Sequence, residues 1–400
     1  MSKKTLQKTL LFIVISVSLL ALLSYAATRL SRIPAPPALL ALALEWEPPS
    51  GSYKFFDSSE VQIAPPPDSV DTQPLPEQLQ ALAPQIAWRD GQSIDFAQFL
   101  KATHTNALLV LHRGALVFES YPRGSQRDTV FPSFSLAKSM LSDLVGVALN
   151  EGKIGSLDDP VSLYLPELPA RFSKLRVYDL LHMRSGIHVD ERYDSVFSRI
   201  AYMYITTDLR RFVRELDTVA YTPQQGFEYR SVDYLLLGML LSAATGESLS
   251  HYLQHKIWQP MRAQYAASWS IDSDRNQVEK GFCCVNARAI DFARYGLLHL
   301  RNGKLGERQI LPAQWMQKPE ATGHADDHFD YGRGWWLPRL NGSGDARDYT
   351  AIGIHGQYVY IDPVSDTVIV KLSDHGAEQD EALTVAAFRS MVAALQKQAH

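Results

Sequence analysis

Phe131-Pro132-Ser133-Phe134-Ser135-Leu136-Ala137-Lys138-Ser139-Met140-Leu141 places a serine and a lysine three residues apart at the predicted start of a helix. Apolar residues then recur with a helical period, at Met140, Leu141, Leu144, Val145, Ala148 and Leu149. Ser133 is the predicted helix cap, and Gly152 is typical of the residue just after a helix. The pattern therefore predicts Ser135 in the first helical turn, with Lys138 on the same face.

Ser135 and Lys138 have the spacing of a nucleophile and its base. First-turn N–H groups lack partners inside the helix, so the N–H of Ser135 can donate to an oxyanion. A lysine acts as a base only when its pKa is lowered, and the apolar run after Lys138 predicts the burial that lowers it. The alternative is an amphipathic helix that carries a surface serine and lysine.

Farther along the chain, Tyr229-Arg230-Ser231 precedes an apolar helix predicted over residues 234–241. With this element and Ser135-x-x-Lys138, the chain resembles the penicillin-recognising serine hydrolases, which include class C β-lactamases, DD-peptidases and related esterases. Two stretches are similar to the branch of 6-aminohexanoate-dimer hydrolases, namely Ala267-Ser268-Trp269-Ser270 and the segment 281–296. The resemblance covers about residues 100–395.

The resemblance implies an α/β (α+β) fold of two lobes, with the active site in the cleft between them. One lobe is an antiparallel sheet flanked by helices, and the other is an all-helical lobe inserted into it. Hairpins predicted at 107–121 and 358–372, with a last helix over 378–396, agree with a sheet built from both ends of the chain.

The resemblance also implies that Lys138 and Tyr229 move protons for a nucleophilic Ser135. We expect the lysine ammonium to lower the pKa of the Tyr229 phenol, so that the phenol can take and return a proton. Ser231 would hold Lys138 through its hydroxyl. The alternatives are a core tyrosine and an ordinary helix-cap serine.

The third family element is altered. Ala351-Ile352-Gly353 stands where the family has Lys-Thr-Gly. Gly353 still allows the strand to approach a ligand closely, and the N–H of Ile354 would be the second oxyanion donor. The lysine and hydroxyl that meet the substrate carboxylate in β-lactamases are missing. The change therefore argues against a β-lactamase or a transpeptidase.

Four further residues are candidates for substrate contact, each with a structural alternative. His355 could touch substrate or pack within a strand pair. Trp335 and Trp336 could wall the pocket with apolar surface or belong to the core. Asp190, followed by Glu191 and Tyr193, could line the cleft or lie in a solvated loop.

Other chemistries have no signal in the sequence. We find no His-Glu-x-x-His, no Gly-x-Ser-x-Gly, no phosphate-binding loop and no zinc-like Cys/His spacing, so no metal or cofactor is expected. Cys283 and Cys284 are adjacent and are expected to be unbridged core residues. A formal net charge of −4 with 20% charged residues argues against a nucleic-acid partner.

These features predict a cofactor-free serine hydrolase that cleaves a small amide or a carboxylic ester through an acyl-enzyme on Ser135. One alternative is a peptidoglycan DD-peptidase or β-lactamase. Another is a non-catalytic, penicillin-binding-like sensor, against which the intact Ser135, Lys138 and Tyr229 argue.

Residues 1–30 are predicted to be a signal peptide or a membrane anchor. Lys3, Lys4 and Lys8 precede an uncharged run over residues 10–27, and a cleavage site after Ala26 is one alternative. Either form predicts export, to the periplasm or to the outer face of the cytoplasmic membrane. An uncleaved anchor would contact the membrane. The remaining alternative is a cytosolic protein with a buried N-terminal helix.

The rest of the chain divides at about residue 78. Residues 31–77 are rich in proline, which opposes helices and central strands, and are predicted to be a tether that could pack on the body. Residues 78–400 are predicted to form the hydrolase domain, which is long enough to bury a full core.

Overall fold

The computed structural model describes residues 3–43, 49–64, 85–89, 92–193, 195, 197–223, 226–339, 347–375 and 380–398. Its α-helices are α1 (Lys3–Leu30), α2 (Pro36–Ala43), α3 (Phe96–Ala102), α4 (Ala137–Asn150), α5 (Val177–Leu181), α6 (Arg199–Ile205), α7 (Leu209–Arg214), α8 (Ser231–Thr245), α9 (Leu249–Leu253), α10 (Ala289–Leu300) and α11 (Glu381–Gln398). Its strands in the first half are β1 (Ser58–Val61), β2 (Ile86–Ala87), β3 (Ser93–Ile94), β4 (Thr105–His112), β5 (Ala115–Ser120), β6 (Val130–Pro132), β7 (Ile187–His188) and β8 (Ala220–Tyr221). Those in the second half are β9 (Ala267–Ser270), β10 (Val285–Arg288), β11 (Lys304–Leu305), β12 (Arg308–Gln309), β13 (Gly323–His324), β14 (Phe329–Gly332), β15 (Trp335–Pro338), β16 (Tyr349–Gly353), β17 (Gln357–Asp362) and β18 (Thr367–Ser373).

The main sheet has eight antiparallel strands in the order β13-β14-β15-β16-β17-β18-β4-β5. The early hairpin β4–β5 joins the late strands through the pairing of β4 with β18. The predicted sheet lobe, assembled from both ends of the chain, is therefore confirmed.

Helices cover both faces of this sheet, because successive side chains of its central strands point to opposite faces and are mostly apolar on both. On one face, the ring of Phe388 in α11 packs against Tyr358 and Tyr360, with centroids 5.5 and 5.3 Å apart. On the other face α10 lies very close to the sheet. A Cβ on Gly296 would come within 2.5 Å of Val368 Cγ1, so the close packing needs a glycine.

Between β5 and β13 the chain forms a mostly helical lobe, α4 to α9, around the buried apolar helix α8. A four-stranded sheet, ordered β1-β9-β10-β6, lies within this part of the molecule. The predicted two-lobed α/β (α+β) fold is thus confirmed, with this smaller sheet as an addition to the predicted all-helical lobe.

Part of the segment predicted as a tether is folded. Strand β1 pairs with β9 in antiparallel register, Ser58 with Ser270 and Val61 with Ala267. The predicted tether thus packs on the body over residues 49–61. Its proline content did not indicate which extended segment would find a sheet edge. Residues 65–84 lie outside the described residues.

Helix α1 is long and apolar enough to cross a membrane over Phe12–Leu30, with a mean hydropathy of 1.8, and this span is not buried in the protein. The alternative of a buried N-terminal helix is therefore not supported. Beyond its end, the carbonyl of Arg32 accepts hydrogen bonds from the N–H of Thr207 (2.7 Å) and the hydroxyl of Thr206 (3.1 Å). The chain after α1 thus contacts the turn that follows α6.

Candidate active site

Ser135 lies in a short 3-10 turn, Phe134–Leu136, and α4 begins only at Ala137. The nucleophile candidate therefore lies just before the helix and not within its first turn. Ser133 does not cap the helix, because its hydroxyl accepts the N–H of Val285 on β10 at 2.9 Å. This bond fixes the turn to the smaller sheet, and Phe134 takes a left-handed φ of 46°.

Lys138 is buried, with 1% of its surface exposed, and its Nζ atom lies beside Ser135. Nζ donates to Ser135 Oγ at 2.8 Å and to the carbonyl of Phe282 at 2.7 Å. Burial lowers the pKa of Lys138 to about 7, and the nearby charge of Glu191 opposes this shift. Near neutral pH a substantial fraction of the amine is therefore unprotonated and able to accept a proton.

Tyr229 completes the group around Ser135, with which its side chain is hydrogen-bonded. Its ring stacks on Trp336, with centroids 5.3 Å apart, and Lys138 Nζ lies 5.0 Å from the ring centre. Burial raises the pKa of the Tyr229 phenol above its usual value, and the bond to Ser135 only partly offsets this. The predicted lowering is wrong, because the loss of solvation around the buried phenol outweighs the bond to Ser135 and the charge of Glu191 raises the pKa further.

Ser231 does not hold Lys138 in the way the resemblance implies. Its N–H donates to Glu191 Oε1 at 2.6 Å, and its hydroxyl lies 3.3 Å from that of Tyr193. Burial raises the pKa of the Glu191 carboxyl, and the charge of Lys138 lowers it. Ser231 thus positions an acid and a phenol at the rim of the site.

Asp190, the acid predicted for the cleft, points away from it. Its carboxylate forms an ion pair with Arg192 at 2.9 Å. The neighbouring Glu191 and Tyr193 face the site instead. The sequence indicated that Asp190, Glu191 and Tyr193 could line the cleft, and the prediction is wrong for Asp190, because the residue that turns inward depends on the loop conformation.

The end of β16 lies directly against the Ser135 turn. A Cβ on Gly353 would come within 2.4 Å of the Ser133 carbonyl oxygen and 3.2 Å of Phe134 Cβ, so only glycine fits. Ile354 follows it on this side. His355, at a left-handed φ of 69°, packs its ring against Phe134 with centroids 5.1 Å apart, and its Nδ1 lies 3.1 Å from the carbonyl oxygen of His375.

Of the two adjacent tryptophans, Trp336 lies at the site and Trp335 lies in the core. Trp335 is 2% exposed and packs among Tyr295, His299 and Tyr349, so its predicted role in the pocket wall is wrong. Trp336 is half-buried and stacks on Tyr229. Alternation along β15 explains the split, since adjacent residues face opposite sides of the sheet.

Cys283 and Cys284 are joined by a disulfide, with Cα atoms 3.7 Å apart, so the prediction of two unbridged cysteines is wrong. Cys284 has a left-handed φ of 79°, which no sequence pattern indicated. The pair directly follows Phe282, whose carbonyl accepts the hydrogen bond from Lys138 Nζ. The disulfide therefore lies next to the group that positions the lysine.

Three possible metal ligands, Glu247, His251 and His255, lie together around α9. Their ligand atoms lie within 4.8 Å of one another, and both histidines contact Glu247 Oε2, at 2.8 and 3.0 Å. Sequence analysis missed this cluster, although its spacing of four residues is a recognisable helical signal.

Comparison with known proteins places this geometry in a family. The family model for Beta-lactamase matches residues 95–389. The chain belongs to the beta-lactamase family. The resemblance drawn from Ser135, Lys138 and Tyr229 is therefore confirmed, and the protein is a hydrolase of this family.

Proteins similar to this chain include hydrolases named for other substrates. The 6-aminohexanoate-dimer hydrolase of Paenarthrobacter ureafaciens is 29% identical over 305 residues, which are 70% of this chain and 75% of that protein. A solved structure from Bacillus anthracis, assigned to the 6-aminohexanoate-dimer hydrolases, has a TM-score of 0.75 at 23% identity and covers 88% of this chain and 95% of its own. EstCE1, a hydrolase with promiscuous acyltransferase activity, has a TM-score of 0.56 at 16% identity and covers 75% of this chain and 96% of its own.

Proposed function

We propose that this beta-lactamase-family protein hydrolyses small or linear carboxylic esters and amides through an acyl-enzyme on Ser135. The observation that supports this most is the buried Lys138, whose Nζ bonds Ser135 Oγ at 2.8 Å and whose pKa is lowered to about 7 by burial. An amine with that pKa can serve as a general base at neutral pH.

The acyl-transfer step moves one proton and exchanges one bond. Ser135 Oγ bonds to the substrate carbonyl carbon while Lys138 takes the hydroxyl proton. The N–H groups of Ser135 and Ile354 receive the oxyanion. The bond to the alcohol or amine then breaks, and that group leaves with a proton passed from Lys138 through Tyr229. Water next attacks the acyl-enzyme, which releases the carboxylic acid and restores Ser135.

The protonation states suit this relay. Tyr229 has a raised pKa and is therefore a neutral phenol at rest, so it can pass a proton without storing a charge. Lys138 alternates between amine and ammonium. Glu191, close enough to interact with the lysine charge, favours the ammonium form that follows proton transfer.

Esters and amides are favoured over β-lactams because of Ala351 and Ile352. Neither side chain offers a charge or a hydroxyl to a substrate carboxylate. A charge-assisted hydrogen bond of that kind contributes about 1.5 to 3 kcal/mol, which is about a tenfold to hundredfold change in binding or rate. A neutral ester loses nothing by this change. The relatives named for 6-aminohexanoate dimers agree with linear amides as one substrate class.

The test uses the full chain in detergent and its Ser135→Ala variant. A fluorophosphonate probe should label Ser135, and p-nitrophenyl butyrate should be hydrolysed with a larger kcat/KM than nitrocefin. A linear amide and a D-alanyl-D-alanine peptide complete the panel. Labelling of another serine would refute the nucleophile, and a kcat/KM for nitrocefin equal to that for the ester would favour the β-lactamase alternative.

We also propose that the catalytic domain lies outside the cytoplasmic membrane. The apolar span Phe12–Leu30, preceded by Lys3, Lys4 and Lys8, supports this. A reporter that is active only in the periplasm, fused after His400, should be active. Activity of a cytosolic reporter at the same position, with an inactive periplasmic one, would reverse the orientation.

A further inference from the structure

A cavity of about 280 Å³ lies beside the catalytic turn, and most of its lining is apolar. Phe134, which precedes the proposed nucleophile, and Ile354, the proposed oxyanion donor, border it on one side. Ile200, Ala201 and Tyr204 of α6 form another wall. Ser135, Lys138 and Tyr229 do not themselves border the cavity, which adjoins the Ser135 turn at Phe134 and Ile354 and extends from there toward α6.

The remaining wall comes from the N-terminal segment 49–56, far from the catalytic residues in sequence. Tyr53 and Phe56 of this segment border the cavity. The segment is held at its start by Ser50, whose N–H and hydroxyl donate to the Asp374 carboxylate at 2.7 and 3.1 Å. At its end, β1 continues into the smaller sheet.

Phe56 is held by a buried lysine. The Nζ atom of Lys280 lies 3.5 Å from the centre of its ring and donates to the carbonyl of Tyr204 at 2.8 Å. One lysine thus joins the N-terminal segment to α6 behind the cavity. Both walls are fixed in place without a substrate, as expected of a preformed binding site.

The α6 wall of the cavity carries a buried polar atom. The Tyr204 hydroxyl is buried and has no hydrogen-bond partner among the residues that the structure describes. Burial raises its pKa, and the nearby Tyr229 and Glu191 raise it further, so it is a neutral donor close to the proposed proton relay. A buried hydroxyl without a partner is costly unless a ligand supplies one.

We propose that this cavity is the acyl pocket of the enzyme and that it selects esters or amides with an apolar acyl chain. This inference rests on the proposed function. The acyl chain is assigned to the cavity, and the leaving group to the open side, because the acyl group stays bound to Ser135 while the alcohol or amine must depart. The Tyr204 hydroxyl donates to a polar atom of the bound substrate near the reacting carbonyl.

The expected effect follows from burial of methylene groups. Each methylene moved from water into an apolar pocket should raise kcat/KM about three- to fourfold until the cavity is filled. The full chain in detergent is assayed with p-nitrophenyl acetate, butyrate, hexanoate and decanoate. Each variant is expressed as a ratio to the wild type for the same ester, so that partition of the longer esters into micelles cancels.

Two variants fill the cavity from opposite walls, Ala201→Leu on α6 and Ser52→Leu on the N-terminal segment. Each should lower kcat/KM for hexanoate about three- to sixteenfold relative to acetate, since they displace one or two methylene groups. Ala170→Leu and Ser173→Leu make the same exchanges at exposed positions and should leave the ratio unchanged. Tyr204→Phe should lower kcat/KM by a similar factor for all four esters.

The outcomes separate this inference from the proposed function. If the probe labels Ser135 and all esters are hydrolysed, but neither filling variant changes the ratio of hexanoate to acetate, the cavity is not the acyl pocket. A series that varies the alcohol over a constant acetyl group detects the reverse assignment, in which the filling variants act on the alcohol chain. If Ser135 is not labelled and no ester is hydrolysed, the proposed function itself is wrong.

Discussion

Lys138 and Lys371 are both buried, and each Nζ atom donates a hydrogen bond to a serine hydroxyl, over 2.8 Å to Ser135 and 2.5 Å to Ser373. Burial lowers the pKa of each lysine to about 7. By these measures the molecule contains two lysine–serine pairs of the same kind. Their surroundings differ, because Ser135 is half-buried beside the cavity, whereas Ser373 is 1% exposed.

The turn between β16 and β17 separates the two pairs. On one side a Cβ at Gly353 would meet the catalytic turn, and on the other a Cβ at Gly356 would come within 3.0 Å of Ser373 Cβ and 3.4 Å of Lys371 Nζ. Lys371 lies among the rings of Phe99 and Tyr358, on the face of the sheet covered by α3 and α11. A depressed lysine pKa and a bonded serine therefore do not make a nucleophile unless a substrate and an oxyanion site are within reach.

The largest expected effect tests this contrast directly. Ser135→Ala should lower kcat/KM for p-nitrophenyl butyrate by about 10⁴-fold or more, as removal of a nucleophile does when it acts as a unit with its base. Ser373→Ala should leave turnover near the wild-type value, because Ser373 is enclosed. Equal loss of activity in the two variants, with both still folded by circular dichroism, would contradict this difference between Ser135 and Ser373.

Gly353→Ala should lower kcat by about 10²- to 10³-fold, the usual cost of losing an oxyanion donor, because the new Cβ pushes Ile354 away from Ser135. Gly356→Ala should act mainly on stability. Its φ of 86° lies in the left-handed region, where a side chain costs about 1 to 2 kcal/mol. Urea unfolding and steady-state kinetics on both variants measure the two effects, and equal losses of kcat would contradict the separation.

The activity should follow the ionisation of Lys138. With a pKa of about 7, the amine is mostly protonated at lower pH, so kcat/KM should fall by about tenfold per pH unit below that value and level off above it. The Lys371→Met variant should keep the same acidic limb. An acidic limb in the wild type near the pKa of a free lysine would exclude Lys138 as the base.

Lys371 should affect the free energy of unfolding rather than the activity. Its pKa is about 7 in the folded protein and 10.5 in the unfolded chain, so the unfolded state binds the extra proton between these values. The free energy of unfolding should therefore rise with pH from about 7 toward 10.5, and the buried lysine costs most below pH 7. Lys371→Met should stabilise the protein at pH 7 by a few kcal/mol, since each pKa unit corresponds to about 1.4 kcal/mol, and should flatten this pH dependence. Lower stability of the variant at pH 7 would contradict the assignment.

The smallest expected effect concerns Glu191, the acid near Lys138. Its charge opposes the burial that lowers the pKa of Lys138, whereas burial is the cause of the lowered pKa of Lys371. Glu191 raises the lysine pKa, so Glu191→Gln should move the acidic limb of kcat/KM to lower pH. Asp190→Asn, one residue away in a solvated ion pair with Arg192, is the matched control and should leave the limb in place. A shift of the acidic limb in Asp190→Asn but not in Glu191→Gln would show that Asp190, and not Glu191, acts on Lys138.

Local patterns predicted what depends on neighbouring residues. The hairpins, the last helix and the approach of Ser135 to Lys138 all follow from short-range spacing. The pairing of β1 with β9, more than 200 positions apart, carries no local signal. The orientation of Glu191 over Asp190 and the left-handed φ of Cys284 depend on loops whose shape the rest of the fold imposes. Lys371 and Ser373 were detectable as polar residues two apart in an apolar strand, on one face.

The pairing of β1 has a practical consequence for protein engineering. A truncated protein that begins at residue 95, where the family match starts, would lack β1 and segment 49–56. The edge of β9 would be left without its neighbour, and unpaired strand edges promote self-association. Loss of Tyr53 and Phe56 would also open the cavity to water. Soluble versions of this enzyme should therefore start upstream of Pro49, even though the recognisable family sequence begins much later.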